Sequence, residues 1–210
     1  MTDAPTADPA PLSLDDALDL LATRDASRPL ELEIGCGKGR FLIEAARRWP
    51  ERDFLALELA GSLAYLVARR LRRQGFTNAW VVRADAREFV ASLPADCLDR
   101  CHVYCPDPWP KRRHHRNRLF TPPFPDHLAA ALAPGADLIF TTDHDPYFRD
   151  VCARLAGHES FVRLTPEERM AELPSGGFDR IFEEAGVPVF PGCWQRVSNA
   201  TSRSGSPDCS

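Results

Sequence analysis

An apolar run, Leu30 to Ile34, breaks into Gly35-Cys36-Gly37-Lys38-Gly39 and passes at once into a helical stripe of Leu42, Ala45, Ala46 and Trp49. A strand that turns this sharply into a helix presents bare backbone and helix-terminal N–H groups, against which a ligand can lie closely. Pro50 helps to end the helix. A second run, Phe54 to Glu58, then ends in a carboxylate.

The same alternation continues downstream. Leu63, Leu66, Val67 and Leu71 stripe a helix whose other side carries Arg69, Arg70, Arg72 and Arg73, and Gly75 closes it. Periodicity alone reads those arginines as a solvated face. Trp80 to Val82 is a third strand ending near Asp85, and Leu98 to Tyr104 a fourth. A helical pattern from Phe124 to Leu132 stops at Pro134-Gly135, and Leu138 to Thr142 is a fifth strand ending at Asp143. Repeated strand-helix units predict an α/β fold with a parallel sheet and right-handed crossovers. Ligands in such sheets sit beyond the carboxyl ends of the strands, where strand order reverses. Glu33, Glu58, Asp85, Asp107 and Asp143 all fall at that end. Further on, Phe161 to Leu164 and Val189 to Val197 are expected strands, with a loop over Pro166 to Phe178.

Residues 13–197 are expected to form one domain, introduced by a helix from Leu14 to Leu21 behind the N-cap residue Ser13. Residues 1–12, rich in Ala, Pro, Thr and Asp, and the Ser-rich residues 198–210 are expected to be disordered tails. There is no secretory signal and no apolar stretch of membrane-spanning length, which points to a soluble, cytoplasmic protein, expected to be a monomer. A net charge of -4 excludes a surface that is basic throughout, so any nucleic-acid contact is local. Among seven cysteines, Cys97, Cys101 and Cys105 recur at four-residue steps, on one face of an extended strand. Their spacing fits small buried hydrophobes better than a metal site or a radical-enzyme cluster, whose pattern Tyr104 breaks. No metal is expected.

The glycine turn is compatible with a dinucleotide or with S-adenosylmethionine. A dinucleotide fingerprint requires Gly where Arg40 stands, whereas Gly35-x-Gly37-x-Gly39 follows the methyltransferase form. Glu58 is placed to accept from both hydroxyls of an adenosine ribose. Glu33, just before the turn, suits the ammonium of a methionine moiety and would repel a dinucleotide phosphate. Asp85 serves either the adenine amino group or the N-terminus of the next helix.

Behind the fourth strand, Pro106-Asp107-Pro108-Trp109-Pro110-Lys111-Arg112-Arg113-His114-His115-Arg116-Asn117-Arg118 combines rigid prolines, a carboxylate, a large ring and a run of cations. In an acidic chain, such a run beside the ligand end of the sheet favours contact with a phosphate backbone. Trp109 either stacks on a base or pins the loop to the core. His114 and His115 suit RNA-facing donors better than metal ligands, having no recognisable third ligand nearby.

From Leu30 to Trp194 the chain resembles the tRNA (guanine-N7)-methyltransferase family. The resemblance rests on Glu33 to Gly37, Glu58, Asp85-Ala86, Pro106 to His114, Thr142-Asp143 and Phe182-Glu183. It implies a class I, Rossmann-like methyltransferase fold: a mostly parallel seven-stranded sheet with helices on both faces and an antiparallel last strand. It further implies that Glu33, Glu58, Asp85 and Asp107 hold S-adenosylmethionine, with Asp107 at the reacting centre. Lys111, Asp143 and Glu183 would contact a variable-loop guanosine of tRNA. Two positions depart from the family: His144 stands where an aromatic is usual, and Arg180 where Thr is usual, so that Arg180 is expected either to replace a hydroxyl contact to the substrate with a phosphate or base contact or to pair with a nearby Glu. The competing readings are an RNA-binding protein that has lost catalysis on this fold, a methyltransferase acting on another nucleobase, and a nicotinamide-dependent oxidoreductase.

Overall fold

The computed structural model describes residues 9–174 and 186–198. The elements in chain order are α1 (Leu14–Thr23), β1 (Leu30–Ile34), α2 (Arg40–Arg48), β2 (Asp53–Leu57), α3 (Gly61–Arg73), β3 (Ala79–Val82), α4 (Ala86–Ser92) and β4 (Leu98–Tyr104). There follow a 3-10 turn (Arg112–Asn117), α5 (Phe124–Ala131), β5 (Leu132–Thr142), α6 (Asp145–Ala156), β6 (Phe161–Leu164), α7 (Pro166–Met170) and β7 (Phe190–Arg196).

The strands form one seven-stranded sheet in the order β3-β2-β1-β4-β5-β7-β6. Only β7 runs antiparallel to its neighbours. This is the class I methyltransferase sheet. Order reverses between β1 and β4, so the crevice expected at a switch point opens above those two strands.

Both faces of the sheet are covered, and every residue of β1 and β2 is accordingly buried. One face packs Leu32, Leu55, Val103 and Phe140 under α1, α4, α5 and α6. The other packs Phe54, Ala56, Val81 and Ile139 under α2 and α3. On β1, that second face carries Glu31 and Glu33 in place of apolar residues, since alternate side chains share a face.

The structure corrects several expectations. Strand β5 starts at Leu132, six residues earlier than Leu138, and takes in Pro134 and Gly135. A register shift against β4 between Leu98 and Arg100, with Gly135 at φ +86°, accommodates them; Pro and Gly are tolerated in a strand at such an irregularity. Helix α6 has no counterpart among the expected elements. Its buried side, Tyr147, Val151 and Leu155, repeats every four residues between charged positions. Helix α7 occupies part of the segment expected to be a loop, with Pro166 in its first turn.

Ser13 caps α1 through a reciprocal capping box with Asp16. Leu12, expected in the tail, is paired: its N–H donates to Val81 O at 2.8 Å and its carbonyl accepts from Arg83 N at 2.9 Å. This bridge covers part of the exposed edge of β3. Residues 1–8 and 199–210 lie outside the described residues.

Candidate active site

The glycine turn is built by backbone conformations that side chains disfavour. Gly35, Gly37 and Gly39 have φ of +77°, +53° and +69°. A Cβ at Gly35 or Gly37 would meet nothing within 4 Å, so the turn borders open space there. At Gly39 a Cβ would stand 3.0 Å from both γ carbons of Val67, so this glycine also lets α3 approach the start of α2. The N–H groups of Gly35 and Cys36 both donate to Leu57 O, at 2.9 and 3.0 Å, tying the turn to the end of β2.

Glu58 follows β2 directly. Its Oε2 accepts from Gly37 N at 2.9 Å and its Oε1 from Ala60 N at 2.8 Å. Each oxygen keeps further acceptor capacity, and the carboxylate is held at a set angle to the turn. Glu33 lies deeper, 4% exposed, and its Oε2 has no hydrogen-bond partner among the described residues. Burial pushes its carboxyl up to about 8, the nearby Glu58 charge adds to the rise, and the Leu42 N–H opposes it.

Asp85 is the N-cap of α4, its Oδ1 accepting from Arg87 N at 2.8 Å. It also lines a cleft of about 700 Å³, together with Gly35, Glu58, Tyr104, Asp107 and Trp109. That volume suits a nucleoside-sized ligand. The structure therefore brings together carboxylates from the ends of β2, β3 and β4 around one crevice, with Glu33 beneath the turn.

The loop after β4 is held from within. Cys105 and Trp109 both adopt left-handed backbone conformations, at φ +47° and +43°, a costly state for residues with side chains. Trp109 is half-buried, lines the cleft and meets the His114 ring edge-on at 5.9 Å. Arg118, expected to belong to the phosphate-facing run, turns inward instead. Its Nε donates to Pro108 O at 2.9 Å, its guanidinium pairs with Asp150 at 3.3 Å, and it lies 4.9 Å from the centre of the Tyr147 ring. Arg87 donates to the carbonyls of Asn117 and Arg118, at 2.7 and 2.6 Å. The sequence signal for Arg118 is the apolar pair that follows it, Leu119-Phe120, which draws the chain into the core. Lys111 to Arg113 and Arg116 remain exposed.

Asp143 is exposed beyond β5, and Arg180 and Glu183 lie outside the described residues. His144 caps α6, its Nδ1 accepting from Tyr147 N at 3.1 Å. A helix-capping role thus accounts for a residue other than an aromatic at this place. The expectation that Cys105 shares a strand face with Cys97 and Cys101 is corrected: Cys101 is buried in β4, whereas Cys105 follows the strand and lines the cleft.

Beneath Tyr104 runs a buried polar chain that sequence reasoning did not find. Tyr104 Oη lies 3.0 Å from His102 Nδ1, and His102 Nε2 lies 2.7 Å from Glu31 Oε2. Burial lowers the pKa of His102. Burial alone would raise that of Glu31, but the His102 hydrogen bond and the Arg100 and Arg52 guanidiniums outweigh it and bring it to about 2. A neutral His102 donating from Nε2 to an ionised Glu31 satisfies both groups.

A model of a putative methyltransferase family matches residues 27–185. The chain is 36% identical over 160 residues to a tRNA (guanine-N(7)-)-methyltransferase of Geobacter metallireducens, covering 76% of each chain. It is 38% identical over 183 residues to the protein of that name from Leifsonia xyli, covering 82% of this chain and 78% of the relative. The chain belongs to the tRNA (guanine-N7)-methyltransferase family. Among solved structures, the methyltransferase is similar in fold to the 16S rRNA methyltransferase KamB, with a TM-score of 0.58 at 18% identity, covering 88% of this chain and 94% of that one. A precorrin-6y C5,15-methyltransferase from Geobacter metallireducens shares the fold with a TM-score of 0.55 at 16% identity and 87% coverage of both chains.

Proposed function

We propose that this chain transfers a methyl group from S-adenosylmethionine to N7 of a variable-loop guanine in tRNA. The observation that carries the reading is the convergence of the open glycine turn, Glu58 and Asp85 with the Asp107 loop at one crevice. Family membership supports the choice of base.

The residues present fit the donor. Glu33 offers a buried oxygen without a partner, suited to the ammonium of the methionine moiety. Glu58, fixed by two backbone N–H groups, is suited to the ribose hydroxyls, and Asp85 to the adenine amino group. Gly35 and Gly37 leave room for the donor to lie on the backbone. When bound, the donor supplies an electrophilic methyl group on a sulfonium.

Guanine N7 carries an in-plane lone pair and no proton, so this chain requires no general base to generate the nucleophile. Positioning is the main task, and holding a reactant in place of free encounter is worth about 7 kcal/mol or more in favourable cases. Asp107 would offset the positive charge that the purine acquires. Lys111 and the exposed arginines after it would hold phosphates, while Asp143, Glu183 and Arg180 are assigned to the guanosine and its surroundings by their places in the family pattern. Among the described residues no helix is long and apolar enough to cross a membrane. We assign the activity to the cytoplasm.

The test is incubation of purified protein with unmodified tRNA and methyl-labelled donor, followed by nucleoside analysis. N7-methylguanosine is the expected product. Label on another base, or tRNA binding without label, overturns the reading.

Glu33 adds a pH dependence. Its carboxyl is protonated below about 8 in the free protein, and a bound ammonium favours the carboxylate, so binding should release a proton. Donor affinity is expected to strengthen as pH rises toward about 8, by up to about tenfold per unit, and calorimetry in buffers of different ionisation enthalpy should detect the proton. Glu33→Gln should flatten this profile. A wild-type profile that is already flat would remove the ammonium from Glu33.

A further inference from the structure

The arginines of α2 and α3 carry an inference that periodicity alone does not. Arg40, Arg47, Arg48, Arg69, Arg70 and Arg73 have no carboxylate within ion-pairing distance among the described residues. Elsewhere, Arg24, Arg28, Arg52, Arg100, Arg118, Arg149, Arg154, Arg169 and Arg196 are paired, whereas Arg83, Arg87, Arg112, Arg113, Arg116 and Arg163, spread over other elements and loops, have no such partner among the described residues. In a chain of net charge -4, six guanidiniums without a carboxylate partner thus share two neighbouring helices, a second group in addition to Arg112, Arg113 and Arg116 of the loop after β4. Helix α3 contains no acidic residue, and α2 contains only Glu44.

A solvated face or compensation of helix dipoles explains only part of this. Arg47, Arg48, Arg70 and Arg73 stand in last turns, where a cation is favourable. Arg40 is the first residue of α2, where the dipole opposes a cation, and Arg69 lies before the last turn of α3. Several of the guanidiniums are also held in place. Arg47 bonds Gln74 at 2.6 Å and lies over Phe76, Arg48 lies over Trp49, and Arg70 donates to Lys38 O at 2.7 Å. That last bond joins the cationic face to the glycine turn.

We infer that the α2–α3 face is a second RNA contact, which holds the phosphate backbone of the tRNA body away from the target base. This rests on the proposed function for the identity of the RNA. Planar guanidiniums without carboxylate partners, preset by stacking and hydrogen bonds, are suited to bidentate contact with phosphate oxygens. The exposed cations of the Lys111 loop would grip the strand near the reacting base, and the α2–α3 face would grip it at a distance.

The test is the triple variant Arg48→Gln, Arg69→Gln, Arg73→Gln, assayed by direct binding of unmodified tRNA across a salt series, with methylation measured in parallel. Each lost phosphate contact lowers the log-log salt slope by about 0.9, so a drop of two to three and about tenfold or more weaker binding at low salt are expected. A short hairpin bearing only the target loop should be methylated by variant and wild type with equal kcat/KM, and the thermal unfolding midpoint should be unchanged. An unaltered salt slope with full tRNA overturns the inference, as does an equal loss with tRNA and hairpin, which would place the contact at the target. The binding arm does not depend on turnover, so a wild-type protein that binds tRNA without methylating it would sink the functional reading alone.

Discussion

Asp107→Ala is expected to lower turnover by about 10²–10³-fold, the loss typical when a preorganised electrostatic partner of the transition state is removed. The carboxylate stands on the loop after β4, lining the same cleft as Gly35 and Glu58. As the methyl moves to N7, positive charge leaves the donor and spreads over the purine, and in the proposed function the Asp107 carboxylate would stabilise that change. The loop is anchored by contacts that do not involve the Asp107 side chain: Arg118 on Pro108 O and Arg87 on Asn117 O and Arg118 O. The variant should therefore fold normally and keep most of its donor affinity, which the proposed function assigns mainly to Glu33, Glu58 and the turn. Single-turnover kinetics with saturating donor and tRNA separates these effects. A variant with wild-type turnover would show that Asp107 takes no part in the chemistry, and one that fails only in donor binding would confine its role to holding the cofactor.

Glu31→Gln is expected to cost about 3 kcal/mol of stability, the low end for breaking a buried ion pair, because Arg52 and Arg100 retain some access to water. For a chain of this length that corresponds to a fall of about 6–12 °C in the unfolding midpoint. Glu31 is fully buried and accepts from Arg52 at 2.6 Å and from His102 at 2.7 Å. Its pKa is depressed from 4.5 to about 2 in the folded protein, so its stabilisation is complete above the unfolded value and is lost as pH falls through the folded one. The difference between wild type and variant should be full at neutral pH and shrink in acid below about 4.5. An equal midpoint for both proteins at neutral pH would mean that Glu31 contributes no net stability. Because His102 carries Tyr104, which lines the cleft, the variant should also bind the donor less well.

Most strands and the crevice at their carboxyl ends were legible in the chain. Leu30 to Ile34 and Leu98 to Tyr104 form strands with the expected limits, the first closed in by Pro29 and Gly35 and the second stopped short of Pro106. Pro134-Gly135 was misleading, since the signal that ends a helix is also tolerated at a strand irregularity, and only the pairing with β4 distinguishes the two. Arg118 was misleading in another way. Within a run of cations its sequence looks like its neighbours, and its inward turn depends on Asp150 and Tyr147, supplied by α6 some thirty residues later.

The glycine turn, the acidic residues at the strand ends and the Pro-Asp-Pro-Trp loop are local in sequence, and each carries its own chemistry through backbone geometry and residue type. By themselves they determined the sheet architecture and the kind of ligand expected there. The pairing of Glu31 with His102, the elevated pKa of Glu33 and the lack of carboxylate partners for the arginines of α2 and α3 were decided only by the tertiary structure. Each depends on distances between residues far apart in the chain and on the exclusion of water, and neither is written in the order of the residues.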